Sequence, residues 1–253
     1  MLHMFYLFLC SRQNVHNWMI FAWACRLGTF LFMRVLKEGQ DKRFDKARDS
    51  PATFLVFWSL QGVWVWVTLL PSLILNTERR DPALGSRDYL GWGLWVAGFL
   101  IEVVADMQKS IFRANPENDV SSIIFAVFCN MKGIYPVQLF MSQGKFISSG
   151  LWSLSRHPNY FGEILLWFGI YISSSSAFRG SQYLSVLSPV FIFLLITRVS
   201  GEKVSTLIKI IKLILLLLGV PLLEKSGLKK WGHLPEYQKY LQEVPQLVPF
   251  TRP

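Results

Sequence analysis

The sequence has few charged residues and few cysteines for its length. Charged residues make up 17% of its 253 positions, against about 25% in a typical soluble domain, which argues against an ordinary soluble globule. The three cysteines lie in apolar stretches without metal-ligand spacing, so the sequence indicates neither a disulfide framework nor a metal site. The first ten residues lack the basic start and small-residue cleavage site of a signal peptide, and we expect no cleavable signal.

The sequence also lacks the short motifs that mark many nucleotide and metal sites. No GxGxxG, P-loop or HExxH pattern occurs. If a nucleotide binds, it binds outside a Rossmann domain. Nothing in the chain indicates a nucleic-acid partner.

Long apolar runs are the main positive feature. Hydrophobic residues make up 52% of the chain, and five windows approach the length of about 20 residues that a helix needs to cross a bilayer. Trp and Tyr gather near their ends, as they do at membrane interfaces. The pattern predicts an all-α, polytopic transmembrane helical bundle of about five to seven spans, folded as a single membrane domain over residues 1–253. The windows are Asn17–Arg34, Thr53–Leu75, Tyr89–Ala105, Tyr160–Ile172 and Tyr183–Thr197.

Basic residues divide unevenly between the two sides that five spans would create. Of the 26 Lys and Arg residues, 20 fall on the side that holds residues 34–48, 109–156 and 198 onward. The positive-inside rule predicts that this side is cytosolic. The loop before the fourth window and the C-terminal tail would then face the cytosol together. As an alternative, these charges only fix the topology or contact anionic membrane lipid.

A stripe of charged side chains follows the third window. Glu102, Asp106, Lys109 and Arg113 are spaced by four, three and four residues, which places them on one face of a helix. Acidic groups at membrane depth are costly and usually face a cavity or a partner. The stripe is therefore a candidate ligand-binding face. The alternative is a self-neutralising stripe whose cations reach the membrane interface.

A second polar group stands at the start of the fourth window, in the segment GLWSLSRHPNYFGE. Pro158 suits the first turn of a helix and disfavours helix at His157, so we expect a loop followed by a helix N-terminus. Such an end attracts anions, and Arg156 offers bidentate phosphate donors, with shorter ones from His157 and Asn159. Glu163 is better placed to accept hydrogen bonds from a ribose or a carboxamide. The alternative is a capped helix start at the lipid interface without a ligand.

The tail contains a third candidate element. After Pro235, the residues Glu236, Tyr237 and Tyr240 predict a short amphipathic helix, followed by the proline-bounded apolar end Val244–Phe250. The alternative is an amphipathic helix that lies on the bilayer surface.

Four segments taken together resemble the steroid 5-alpha-reductase C-terminal-domain-like family of membrane proteins: FRANPEN, GLWSLSRHPNYFGE, PLLEK…KKWG…PEYQKY and VPQLVPF. The upstream stretches RVLKEGQDKRFDKAR and FWSLQGVWVWVTLLP are similar too, so the resemblance runs from about residue 18 to the end. It implies a helical membrane fold that binds NADPH in a cytosol-facing cavity. It also implies hydride transfer to an activated carbon–carbon double bond of a lipophilic, steroid-like or isoprenoid-like substrate, in the endoplasmic reticulum or another internal membrane.

The resemblance also implies which residues form the site. Tyr160 and Glu163 are the catalytic candidates; the resemblance does not place the proton donor and leaves Tyr160 as one candidate for it. Membrane methyltransferases that act on isoprenylcysteine or phospholipids share a similar Arg-His-Pro stretch, so an S-adenosylmethionine-dependent methyltransferase stays open, as does a non-catalytic membrane protein. The implied cofactor-binding residues are Asp106, Lys109, Arg113, Arg156, His157, Asn159, Tyr160, Glu163, Tyr237 and Tyr240.

Two segments depart from the family's pattern, residues 119–143 and 202–218. Without them, the motifs rejoin as NPEN-GKFISSGLW and RVSG-VPLLEK. Asp-Val-Ser and Gly-Glu-Lys at their starts can be encoded by splice-donor sequences, so we interpret both as translated introns. We expect the first insert to be extruded from the helical bundle or poorly packed against it.

Overall fold

The structure is a computed structural model that describes residues 11–38, 50–80, 82–114, 146–197 and 220–251. All regular structure in these ranges is helical, so the predicted all-α fold is confirmed. Two 3-10 helices are present, Gly150–Ser153 and Gly180–Val186. The seven α-helices of the described ranges are α1 (Arg12–Glu38), α2 (Pro51–Thr77), α3 (Ser86–Ala114), α4 (Pro158–Ser174), α5 (Leu187–Thr197), α6 (Val220–Trp231) and α7 (Pro235–Glu243).

All five predicted apolar windows are helical. Within the described ranges, three helical stretches are long and apolar enough to cross a membrane: Pro51–Thr77, Ser86–Phe112 and Gly180–Thr197. Only 11% of the most apolar part of α2 is buried, and Leu55 and Trp66 on that helix are 67% and 59% exposed. Large exposed apolar surfaces mark membrane or protein contacts, and these helices indicate a membrane protein. The number and direction of the spans stay predictions.

Prolines set the starts of three helices. Pro51 opens α2 behind Ser50, whose Oγ accepts a hydrogen bond from the Thr53 N–H at 3.4 Å. Pro158 opens α4 and Pro235 opens α7. Proline suits these positions because the first N–H groups of a helix have no partner within it. The predicted loop-to-helix transition at Pro158 is confirmed.

The chain forms two compact units, which we describe separately. Unit 1 comprises Met1–Phe99 and Ile164–Leu222, and unit 2 comprises Leu100–Glu163 and Leu223–Pro253. Helices α3 and α4 contribute residues to both units.

Unit 1 is held together by close helix packing. Helix α2 packs against α1 and α5. Helices α3 and α4 meet at Gly91 and Gly169, where a Cβ on Gly91 would lie 2.5 Å from the Gly169 carbonyl oxygen. Small residues at such crossings let two backbones approach closely. The Trp23 and Trp167 rings pack edge to face, with centroids 5.0 Å apart.

A buried polar network, here called the unit 1 cluster, joins α1, α2, α3 and α4. Arg12 donates from Nε and Nη2 to the two carboxylate oxygens of Asp88, at 2.5 and 3.0 Å. His16 Nε2 lies 2.9 Å from Ser173 Oγ, and Ser176 Oγ donates to Asp88 Oδ1 at 2.8 Å. Every member hydrogen-bonds to another member. The cluster consists of Arg12, His16, Ser72, Asp88, Ser173, Ser174 and Ser176.

Some predictions fall outside the described residues. The inserts 119–143 and 202–218 both lie there, so their packing and their origin stay predictions. Arg113 belongs to α3, but its side chain also lies outside the described part of the structure.

Candidate functional site

The loop before α4 is anchored to the end of α3. The Trp152 indole N–H donates to the Ala105 carbonyl oxygen at 3.1 Å, and the Leu151 N–H donates to Gln108 Oε1 at 3.0 Å. Gly150 has a φ of +62°, and a Cβ there would lie 2.5 Å from the Gln108 side-chain nitrogen. Only glycine combines this backbone conformation with such a close approach. The loop is therefore fixed on α3 before it reaches Arg156.

The C-terminal tail holds the same loop through backbone oxygens. The Arg156 N–H donates to the Pro245 carbonyl oxygen at 2.9 Å, and Ser155 Oγ donates to the Leu247 carbonyl oxygen at 2.7 Å. Ser155 Oγ in turn accepts from the His157 N–H at 3.2 Å. The proline-bounded apolar end of the chain is therefore part of the scaffold of this site.

Glu224 on α6 binds two side chains of the loop, those of Arg156 and His157. Its Oε2 accepts from Arg156 Nη1 at 2.5 Å, and its Oε1 lies 2.6 Å from His157 Nε2. The His157 side chain is 8% exposed, and those of Arg156 and Glu224 are 15% exposed. Burial lowers the pKa of His157 below its usual value, although Glu224 opposes the shift. His157 is therefore neutral near pH 7, and its Nε2–H donates to Glu224.

The charged stripe of α3 meets the loop. Asn159 Nδ2 donates to Asp106 Oδ1 at 3.2 Å. Lys109 Nζ lies 4.5 Å from the centroid of the Trp152 ring, a cation–π contact. Glu102, one turn before Asp106, is only 7% exposed. The structure thus brings the stripe and the loop into contact, whereas their role in cofactor binding stays a prediction.

The two catalytic candidates lie on the first turns of α4. The Tyr160 ring stacks on the His157 ring, with centroids 5.8 Å apart and an interplanar angle of 16°. Glu163 follows one turn later and is half-buried. Their assignment as catalytic residues stays a prediction.

The two tail tyrosines belong to an aromatic group around Phe146. The Phe146 ring centroid lies 4.8 Å from that of Tyr237 and 5.2 Å from that of Tyr240. Tyr240 Oη donates to the Trp152 carbonyl oxygen at 2.7 Å. Burial raises the pKa of both tyrosines above the usual value, so both hydroxyls stay protonated at neutral pH. The predicted amphipathic helix is present as α7, and it closes on the loop through Tyr240.

Several buried polar atoms of unit 2 have no hydrogen-bond partner among the described residues. Leaving such an atom unpaired costs about 1–3 kcal/mol, so each one calls for water, an ion or a ligand. They include Arg156 Nε, His157 Nδ1, Asn159 Oδ1 and Trp231 Nε1. Three of these four residues belong to the stretch Arg156–Tyr160, here called the RHPNY loop, which ends in the first turn of α4.

Sequence reasoning missed Glu224 and Trp152 as site residues, and it placed Ser155 at the edge of the second polar group without giving it a role. All three lie within segments that carry the resemblance, PLLEK and GLWSLSRHP. The usable signal for Glu224 is its position, because it is the acidic residue that precedes the basic stretch KSGLKKW. Pairing it with Arg156 requires a contact across 68 positions, which no local pattern reveals.

Comparison with known proteins assigns the family. A family model described as "Protein of unknown function (DUF1295)" matches residues 1–206. The chain belongs to the DUF1295 family. This DUF1295 protein is also similar to "Uncharacterized protein C594.04c" of Schizosaccharomyces pombe, with 26% identity over 118 residues, or 46% of this chain and 32% of that protein. The matched part thus spans about a third of that relative, and no solved structure matches the chain. Neither description names a reaction.

Proposed function

We propose that this DUF1295 protein is a membrane oxidoreductase related to the steroid 5-alpha-reductases. It would transfer hydride from NADPH to an activated carbon–carbon double bond of a lipophilic, steroid-like or isoprenoid-like substrate. The expected location is the endoplasmic reticulum or another internal membrane. The resemblance of the loop, stripe and tail segments to that family supports the proposal, as does the contact among these segments in unit 2.

The observation that carries the proposal is the unpartnered polar atoms of the loop. Arg156 Nε, His157 Nδ1 and Asn159 Oδ1 are buried without a partner among the described residues. If the start of α4 were only a capped helix end at the lipid interface, we would expect these buried atoms to have hydrogen-bond partners within the protein. A dinucleotide offers both acceptors, on its phosphates, and donors, on its ribose hydroxyls and carboxamide. These residue types therefore fit NADPH.

The residues divide the work of binding. Arg156 would bind phosphate oxygens, because a guanidinium only donates, and Lys109 adds positive charge from α3. Tyr237 and Tyr240 would close the site from the tail. When bound, NADPH supplies a hydride and leaves as NADP⁺. The second carbon of the double bond then takes a proton, for which Tyr160 is the candidate donor.

An S-adenosylmethionine-dependent methyltransferase is the second candidate. The unpaired acceptors His157 Nδ1 and Asn159 Oδ1 would also suit the hydroxyl and amino groups of that cofactor's nucleoside. The two candidates differ in phosphate, which only NADPH carries. The role of Arg156 therefore separates them.

The test is a binding titration of the purified full chain in detergent with NADPH, NADH and S-adenosylmethionine. We expect saturable NADPH binding that Arg156→Ala weakens about ten- to hundredfold, the range for losing a charged hydrogen bond. Lys225→Ala is the matched control, because Lys225 neighbours Glu224 on α6 but is exposed. Binding of S-adenosylmethionine alone would favour the methyltransferase. Binding of neither ligand by a folded chain would favour a non-catalytic protein.

A further inference from the structure

Two carboxylates fix the direction of hydrogen bonding in the RHPNY loop. Glu224 Oε1 lies 2.6 Å from His157 Nε2, and Asp106 Oδ1 lies 3.2 Å from Asn159 Nδ2. An ionised carboxylate only accepts hydrogen bonds. His157 Nε2 and Asn159 Nδ2 must therefore both be donors.

The remaining polar atoms of these two side chains are consequently acceptors. A neutral imidazole carries one N–H, so a proton on Nε2 leaves a lone pair on Nδ1. In Asn159, Nδ2 is used as the donor to Asp106, so the amide oxygen Oδ1 is left as the acceptor. Both His157 Nδ1 and Asn159 Oδ1 are buried and have no partner in the part of the chain that the structure describes.

Burial preserves the neutral form of His157 against the opposing effect of Glu224. Burial is the largest cause that lowers its pKa, Lys109 and Arg156 lower it further, and Glu224 acts in the opposite direction. Lys109 lies on α3, Arg156 lies in the loop itself and Glu224 lies on α6. At neutral pH the ring therefore keeps one bare nitrogen.

We propose that Glu224 and Asp106 are positioning residues that set His157 and Asn159 as hydrogen-bond acceptors, so that the loop recognises a donor group on its ligand. That group is an amide NH₂ or a hydroxyl, and not a phosphate oxygen. The inference rests on the proposed function, in which the carboxamide and ribose hydroxyls of NADPH are such donors. It also changes the expectation from the sequence, in which His157 and Asn159 donate to phosphate. Arg156 keeps the phosphate role.

The substitution Glu224→Gln should reverse the direction of the His157 hydrogen bond. Arg156 Nη1 only donates, so it will take the oxygen of the new amide. The amide NH₂ then faces His157 Nε2, which must accept. The ring proton therefore moves to Nδ1.

Nitrogen-15 NMR of the imidazole rings reads this change directly, without any activity. The chain has four histidines, and the His157 signals are those lost in His157→Gln. At about pH 8, above the usual histidine pKa, we expect Nε2 to be protonated in the wild type and Nδ1 in Glu224→Gln. Glu236→Gln is the matched control because Glu236 is exposed, and it should leave the spectrum unchanged. A wild-type ring protonated on Nδ1, or no change in a folded Glu224→Gln, would overturn the positioning role of Glu224.

Ligand analogues test the recognition step. The probes are NADPH, its 3-acetylpyridine analogue, which lacks the amide NH₂, and analogues that lack one hydroxyl of the nicotinamide ribose. We expect at least one analogue to bind the wild type about tenfold more weakly than NADPH, the effect of one lost hydrogen bond, and Asp106→Ala to reduce that difference. Equal affinity for all the probes would refute donor recognition but leave the proposed function standing. Failure of NADPH to bind would remove the proposed function and the ligand part of this inference, while the tautomer spectrum would still decide the role of Glu224.

Discussion

Unit 1 and unit 2 each pair an arginine with a carboxylate, but the hydrogen bonds of the two arginines are completed differently. In unit 1, Arg12 uses both Nε and Nη2 on Asp88, and both side chains are fully buried. In unit 2, Arg156 uses Nη1 on Glu224, and its Nε has no partner among the described residues. A completed pair ties helices together. An incomplete pair whose remaining donor atom is buried calls for water, an ion or a ligand.

The same contrast separates the two histidines. His16 has a serine hydroxyl near each ring nitrogen, Ser173 at 2.9 Å and Ser72 at 3.4 Å. His157 has Glu224 on one nitrogen, and the other has no partner in the described ranges. Unit 1 also buries such atoms, among them the indole nitrogens of Trp64 and Trp92, but none of these atoms belongs to the unit 1 cluster. We therefore propose a structural role for the unit 1 cluster and a binding role for the RHPNY loop.

The largest expected effect is on stability, from Asp88→Asn. The substitution leaves the Arg12 guanidinium buried without its counter-charge, which costs about 3–5 kcal/mol. We expect a much lower thermal unfolding midpoint in detergent, or loss of folded protein. Glu243→Gln is the control, because it breaks an exposed ion pair with Lys239 that is worth about 0–1 kcal/mol. Equal midpoints for the two variants would contradict a structural role for the unit 1 cluster.

The second effect is on binding, from Arg156→Lys. Lysine keeps the positive charge that faces Glu224 but lacks the planar set of donors of a guanidinium. The donor that Arg156 Nε offers to a ligand is therefore lost. We expect NADPH affinity to fall about tenfold with little change in the unfolding midpoint, measured by titration and by thermal denaturation. Arg179→Lys changes an exposed arginine and is the control. It should change neither the NADPH affinity nor the unfolding midpoint. A large fall in stability without a change in affinity would place Arg156 in the same class as Arg12.

The third effect is a pH dependence of stability through His157. Because burial lowers its folded pKa, its contribution is fully present above the unfolded value of about 6.5 and is lost as the pH falls through the folded pKa. The unfolding midpoint of the wild type should therefore drop on acidification more than that of His157→Gln. His233→Gln removes an exposed histidine and should track the wild type. Parallel pH profiles for the wild type and His157→Gln would show that His157 is not the titrating group.

The smallest effect is from Tyr240→Phe. The change removes the hydrogen bond to the Trp152 carbonyl oxygen and should destabilise unit 2 by about 1 kcal/mol. Tyr89→Phe is the control at a residue that is 61% exposed. The comparison is made by denaturant titration in mixed micelles, and an unchanged midpoint for Tyr240→Phe would mean that the tail contributes no stability through this contact.

The helices and part of the site could be predicted because their signals are local. Apolar windows of bilayer length mark the helices, and Pro158 and Pro235 mark two helix starts. The stripe that contains Asp106 and Lys109 follows helical spacing, so its shared face was visible in the sequence. Each of these signals lies within a few turns of a helix.

The paired partners could not be predicted because their contacts are distant in sequence. Arg12 and Asp88 are 76 positions apart, and each lies near a helix start among other polar residues, where a solvated role is the ordinary expectation. Glu224 lies in the charged segment EKSGLKKW, whose composition is typical of a solvent-exposed helix. Only the fold determines which of these charges meet and which of their atoms stay unpaired.

The central claim is that the RHPNY loop completes its hydrogen bonds on a dinucleotide. The most direct measurement is an experimental structure of the full chain at saturating NADPH. We predict density for the dinucleotide within hydrogen-bond distance of Arg156 Nε and Asn159 Oδ1. If only ordered water lies at these atoms, and NADPH is bound elsewhere or is absent, the central claim is contradicted.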